Sequence, residues 1–159
     1  MSIKETDLAW AAGIVDGEGS IGLIRMKRYD NYGTGVTYDL RLDVGNTDPR
    51  MLKKLQDLFG GSISRSMEKR ENRKPCATWH LHGSNAANVL AAIRPYLIIK
   101  GEQADVAIKS RQFVRRNKRV TTEGLAMTAS MTECFLQLKA LKHAQPALEE
   151  VLGCPAQAS

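Results

Sequence analysis

The chain has 159 residues, 43% hydrophobic and 25% charged, which excludes disorder and allows one compact domain burying roughly two-thirds of its unfolded surface. No apolar run approaches a membrane span, MSIKETDLAW lacks a signal-peptide pattern, and three scattered cysteines (Cys76, Cys134, Cys154) suit free thiols in an intracellular protein. The net charge of +6 includes six basic residues and no acid over 109–119, which points to a polyanion, nucleic acid first; the alternative is a solvated helix face.

In chain order, Leu8 to Val15 reads as a helix, with Asp7 as its cap and Leu8, Ala11, Ala12 and Val15 on one face. It should end at DGEG, before a strand from Ile21 to Lys27 and the turn-forming YDNYGTG. VTYDLRLDV alternates without a break: Val36, Tyr38, Leu40, Leu42 and Val44 on one face, Thr37, Asp39, Arg41 and Asp43 on the other. NTDPRMLKKLQDLFGG predicts a helix capped by Asp48, with Pro49 in its first position, an apolar stripe through Leu52 and Leu55, and a stop at Gly60-Gly61. SISRSM and ATWHLH form a second strand pair around the polar loop EKRENRKP. A helix from Ser84 to just before Pro95, another over EQADVAIKSRQFVRR and at least one more complete an α+β chain. The expected architecture is a four-stranded antiparallel sheet, helices on one face and the polar face open. Its core spans about 5–115, with a helical part about 120–152, in a single domain over 1–159.

The stretch LAWAAGIVDGEGSIGL, Leu8 to Leu23, carries the densest chemistry. GEGSIG matches a dinucleotide-binding fingerprint, but that motif needs a strand before it and a helix after it, the reverse of the order here. Asp16, Glu18 and Ser20 imitate the start of an EF-hand loop, yet Ile21 and Lys27 stand where it requires glycine and glutamate. What survives is a helix of small residues (Ala9, Ala11, Ala12, Gly13) able to approach another helix closely, ending in carboxylates. Two such ends side by side would repel, and a divalent cation would relieve the repulsion and activate water. An ordinary acidic helix end is the other reading. Cys76, His80 and His82 lack a second ligand pair at zinc spacing, which argues against zinc.

AAGIVDGEG, Ala11 to Gly19, resembles the signature of the LAGLIDADG homing endonucleases, matching it at Ala12, Gly13, Asp16 and Gly19. The hairpin after it, NTDPRMLKKLQDLFGG, ATWHLHG and RPYLIIKGEQ agree in order, so the resemblance covers about residues 5–115. It implies the αββαββα fold and site-specific double-strand cleavage of a long near-palindromic DNA site, with Mg²⁺ as cofactor. Mn²⁺ is expected to substitute, and Ca²⁺ to support binding without cleavage. It also implies metal ligation by Glu18 and the Gly17 carbonyl, and a capping role for Asp16 across the helix interface. One motif copy implies a C2 homodimer through Ala9, Ala12, Gly13 and Asp16. Asn46 takes the place of a water-organising amide, and Lys100 and Arg50 those of basic groups near the scissile phosphate. Glu18 departs from the signature's aspartate by one methylene. Alternatives on the same fold are an intron RNA maturase, with host intron RNA as partner, and a non-catalytic DNA-binding protein. The expected setting is a bacterial cytoplasm or an organelle.

The open sheet face should lie in the major groove. Thr37, Asp39, Arg41 and Asp43 would face DNA there, with Ser62, Ser64 and Ser66 from the third strand and Thr78 and His80 from the fourth. Arg41 would bond guanine, and Asp39 and Asp43 would accept from cytosine amines. Strict alternation buries Arg25, so a bulge near Leu23-Ile24 is expected to turn Arg25 and Lys27 to DNA, and Arg28 is expected to contact DNA as well. The basic loop Lys69 to Lys74 would contact phosphates.

Overall fold

The computed structural model describes residues 3–27, 35–65, 75–114 and 122–144. Its elements are α1 (Glu5–Glu18), β1 (Gly19–Lys27), β2 (Val36–Asn46), α2 (Pro49–Phe59), β3 (Ser62–Arg65), β4 (Ala77–His82), α3 (Gly83–Ile93), α4 (Gly101–Ser110) and α5 (Thr122–His143), with 3₁₀ turns at Arg94–Tyr96 and Arg111–Phe113. The four strands form one antiparallel sheet in the order β1-β2-β4-β3. The expected αββαββα order and four-stranded antiparallel sheet are present.

Helix α1 begins a turn earlier than its pattern suggested. Lys4 is its N-cap without a side-chain bond, and Asp7 lies inside the first turn. There a carboxylate favours the helix dipole, and Asp7 is further held by Lys54 Nζ of α2 at 3.0 Å. The same ammonium lies 4.4 Å from the Trp10 ring centroid, so α2 grips α1 by an ion pair and a cation–π contact together. At its other end α1 runs through Asp16, Gly17 and Glu18 and turns directly into β1. A Cβ at Gly19 would stand 2.5 Å from the Val15 carbonyl oxygen, so only glycine permits a strand to begin there.

Strands β1 and β2 pair without interruption from Gly19↔Val44 to Lys27↔Val36. The bulge expected near Leu23-Ile24 is absent. Arg25 shares its row with Ile21 and Leu23 and lies opposite the buried Tyr38, so Arg25 and Lys27 belong to the helix-side row. They stay exposed because β1 is an edge strand whose last three residues are uncovered. Arg28, Ser66 and the loop Lys69 to Lys74 lie outside the described residues.

The covered face carries Ile21, Leu23, Tyr38, Leu40, Leu42, Val44, Trp79 and Leu81, all buried. Asp48 caps α2 by accepting from Arg50 N, and Pro49 occupies the first turn, as the sequence indicates. The helix stops at Gly60 and Gly61, with φ of +74° and +87°. A Cβ on Gly61 would meet the His80 carbonyl oxygen at 2.5 Å, and Trp79 Nε1 donates to Gly60 O at 2.8 Å. This turn therefore closes the core over the indole.

Helix α3 starts at Gly83, with φ +58°, in place of Ser84, whose hydroxyl accepts from Arg111 at 2.7 Å. Helix α4 ends at Ser110, short of the expected 116, where the serine hydroxyl donates back to Ala107 O. Helix α5 packs on the hairpin through Met131, Cys134 and Leu138, with a hydroxyl contact of 2.8 Å between Tyr38 and Thr132 and a ring contact between Tyr38 and Phe135.

Trp79→Ala should destabilise the fold by about 3–5 kcal/mol, because it opens a cavity in a fully buried site and leaves Gly60 O unpaired. Urea denaturation followed by circular dichroism measures the loss.

Candidate functional site

The end of α1 and the loop before α4 meet through one carboxylate. Asp16 Oδ2 accepts from Ile98 N at 2.7 Å and Oδ1 from Lys100 N at 2.9 Å, while Lys100 Nζ donates to the backbone carbonyl of Asp16. Two backbone N–H groups and one ammonium thus fix Lys100 against the last turn of α1. Asp16 was expected to cap across an interface between two helices; its carboxylate is instead occupied within its own chain. The physical reason is local, since Lys100 is the N-cap of α4 and contributes no capping side chain of its own.

Glu18 sits exposed one turn-end further on, and among the described residues nothing hydrogen-bonds or pairs with its carboxylate. Lys100 is partly buried, and desolvation pushes its ammonium below the usual lysine value, against the opposing pull of the Asp16 and Glu18 charges. The positive charge of Lys142 lowers it further.

Lys142, near the end of α5, is the residue that sequence reading missed. Its ammonium reaches around the edge strand to donate to Ser20 Oγ at 3.2 Å, and lies 3.2 Å from where a Cβ on Gly22 would stand. Ser20 and Gly22 belong to the open face, two and four residues beyond Glu18. The weak signal in the sequence was that 120–159 holds only two basic residues, Lys139 and Lys142. Nothing there indicates that one of them crosses the sheet edge.

The other sequence-derived residues divide into three groups. On α1, Ala9, Gly13 and Gly17 form an exposed stripe at helical spacing, and a Cβ at Gly13 or Gly17 would meet nothing within 4 Å. Ala12, expected in the same interface, is fully buried in its own chain's core and cannot face a partner. The spacing of one residue from Gly13 turns it about 100° around the helix, into the sheet.

Asn46 and Arg50 form the second group. Asn46 ends β2, and its side-chain oxygen accepts from Asp48 N at 2.7 Å, which shapes the entry to α2. Arg50 is exposed and closed on Asp48 in a two-pronged ion pair, with Nη2–Oδ2 at 2.6 Å. The guanidinium holds the Asp48 carboxyl at about 2, below its ordinary 3.8.

The third group is the open sheet face. Thr37, Asp39, Arg41 and Asp43 of β2, Ser62 and Ser64 of β3, and Thr78 and His80 of β4 occupy the row opposite the core, with Ile24 and Met26 from β1. Both acids are engaged by histidines: His80 Nδ1 lies 2.8 Å from Asp43 Oδ1, and His82 Nδ1 lies 3.0 Å from Asp39 Oδ2. Arg41 Nε lies 3.9 Å from Asp39.

Whether this set fits a hard divalent cation is a question of donors. The last turn of a helix leaves carbonyls without an intrahelical partner, and Gly17 O belongs to that turn, next to the exposed Glu18 carboxylate. Oxygen-only donors of this kind suit Mg²⁺, which binds through one or two carboxylates plus phosphate oxygens and water. Among the described residues no cluster of three or more acids, histidines or cysteines supplies a complete cage.

Asp16→Ala removes the acceptor of two backbone N–H groups and should cost on the order of 1.5–3 kcal/mol. Amide hydrogen exchange at residues 98–100 should accelerate while the β2 and β4 amides stay protected.

Comparison with known proteins agrees with this fold. The family profile described as LAGLIDADG endonuclease matches residues 11–100, more than half of the chain. No curated protein sequence matches. Among solved structures, the homing endonuclease I-CvuI bound to its target with Ca is similar at TM-score 0.70 and 19% identity, over 93% of this chain and 90% of that one. The same enzyme with the I-CreI target, in Mg and with DNA not cleaved, gives 0.72 and 19%, over 96% and 98%. The archaeal intron-encoded I-Vdi141I complexed with DNA gives 0.69 and 16%, over 90% and 87%. With the AAGIVDGEG helix, the alternating β2 and the loop holding Lys100 in place, the chain belongs to the LAGLIDADG endonuclease family.

Proposed function

We propose that this chain is a Mg²⁺-dependent, site-specific DNA endonuclease that works as a C2 homodimer. The observation that carries the reading is the exposed Glu18 carboxylate, without a hydrogen bond or ion pair among the described residues, at the end of a small-residue helix and beside an ammonium anchored by Asp16. Ala9, Gly13 and Gly17 leave a low helix face on which a second copy can lie, and that copy would bring a second Glu18 close to the first. One motif per chain makes the site symmetric, so the DNA it reads is near-palindromic.

In this reading Glu18 and Gly17 O would hold the divalent ion, which would supply a polarised water and an offsetting charge at the phosphate. The ammonium of Lys100 faces the developing negative charge, and its position is set by Asp16. Lys142 and Lys100 place two cations at the motif end of the open face, where the backbone of a bound duplex would run. Arg50 reaches phosphate only by exchanging it for Asp48. The sheet face with Arg41, Thr37, Thr78, Ser64 and the paired histidines lies toward the major groove.

Two variants test the reading on a plasmid library carrying randomised inserts. Glu18→Gln should abolish cleavage in Mg²⁺ while retaining binding in Ca²⁺; cutting at the wild-type rate would remove Glu18 from the mechanism. Lys142→Ala should weaken binding to all retained sites alike and reduce the slope of log affinity against log salt by about one. An unchanged salt slope would place Lys142 off the DNA.

A further inference from the structure

The open face carries a chain of hydrogen bonds across three strands that the proposed nuclease chemistry does not use. His80 of β4 lies opposite Asp43 of β2 and Ser62 of β3. Its Nδ1 meets Asp43 Oδ1 at 2.8 Å, and its Nε2 meets Ser64 Oγ at 2.7 Å. Ser64 is exposed, while the His80 and Asp43 side chains are about three-quarters covered, at 22% and 28% exposure.

We propose that this Asp43–His80–Ser64 relay is a specificity device, which turns the Ser64 hydroxyl into a hydrogen-bond acceptor on DNA. It rests on the reading that the open face lies on a duplex. An ionised carboxylate only accepts, so the ring hydrogen sits on Nδ1 and points at Asp43. In the neutral imidazole Nε2 is then the acceptor, and the only hydrogen within its reach in the contact with Ser64 is that of the hydroxyl. Ser64 therefore donates inward, and its outward lone pairs are all that it shows to a groove. A free serine donates or accepts and discriminates poorly; one with its hydrogen committed takes only a donor. In the major groove the donors are the N6 amine of adenine and the N4 amine of cytosine. The Asp39–His82 pair follows the same logic two same-face positions along β2, with His82 Nδ1 on the carboxylate. The acids on this face thus act by orienting imidazoles.

Selection from a pool of randomised duplex DNA in Ca²⁺, followed by sequencing, reads the effect. Ser64→Ala should flatten a preference of about 2- to 10-fold for adenine or cytosine at one position in each half-site and leave the others unchanged. His80→Lys offers only donors, keeps Asp43 paired, and frees the Ser64 hydrogen; at that same position the preference should move toward guanine or thymine. Nitrogen-15 NMR of the wild-type protein should show His80 as the Nδ1–H tautomer without any DNA present. An Nε2–H tautomer, or a base profile indifferent to both substitutions, overturns the relay while the nuclease reading stands. A wild-type protein that enriches no sequence overturns the DNA-reading function and the relay with it.

Discussion

Asp16 joins the two halves of the site. Its two oxygens hold the backbone of Ile98 and Lys100, and its own carbonyl receives the Lys100 ammonium. Residues 82 and 84 positions apart in the chain are thereby fixed relative to each other, as a charge-assisted network must be to keep its orientation. Because α1 passes without a linker into β1, the same anchor also aligns the start of the sheet with Lys100. The transition is sharp because Gly19 alone can tolerate the 2.5 Å approach of the Val15 carbonyl. The Glu18 carboxylate, the Lys100 ammonium and the first open-face residues are consequently held within a few residues of one anchor.

The sheet extends from that anchor, and its two faces have different chemistry. Helices cover Leu40, Leu42, Val44 and Trp79, and leave threonines, serines, histidines and acids uncovered. Two acids, Asp39 and Asp43, lie on that uncovered face. Each lies within hydrogen-bond distance of an imidazole, His80 for Asp43 and His82 for Asp39. Lys142 compensates from the other side, entering around the edge strand from a helix that packs on the covered face. The edge position of β1 explains both this reach and the exposure of Arg25 and Lys27 on the helix-side row.

Much of this was legible in the residues. The period-two alternation of β2, the Asp48-Pro49 start and Gly60-Gly61 stop of α2, and the AAGIVDGEG motif each express a local rule, and each formed where the rule places it. The Lys100 loop was identified through its resemblance to a family, and the structure supplied the reason for its position. Less legible were the places where a local rule met a competitor. Asp7 had the character of a cap but found Lys54. Arg25 needed a bulge to leave the core row, and the uncovered end of an edge strand made the bulge unnecessary. Ala12 reads as one of a set of equivalent small residues, yet a helix separates neighbours by about 100°, and only packing shows which of them the sheet takes.

The sequence by itself determined the element order, the family, the two faces of the sheet and the presence of a carboxylate at the end of a small-residue helix. These follow from periodicity, glycine placement and capping, all of which act over a few residues. The tertiary structure decided which partner each polar group takes: Asp16 with the Lys100 loop, Asp43 with His80 and Ser64, Lys142 with Ser20. Those pairings depend on distances of about 3 Å between side chains far apart in the chain, and such distances exist only once the sheet register and helix packing are fixed.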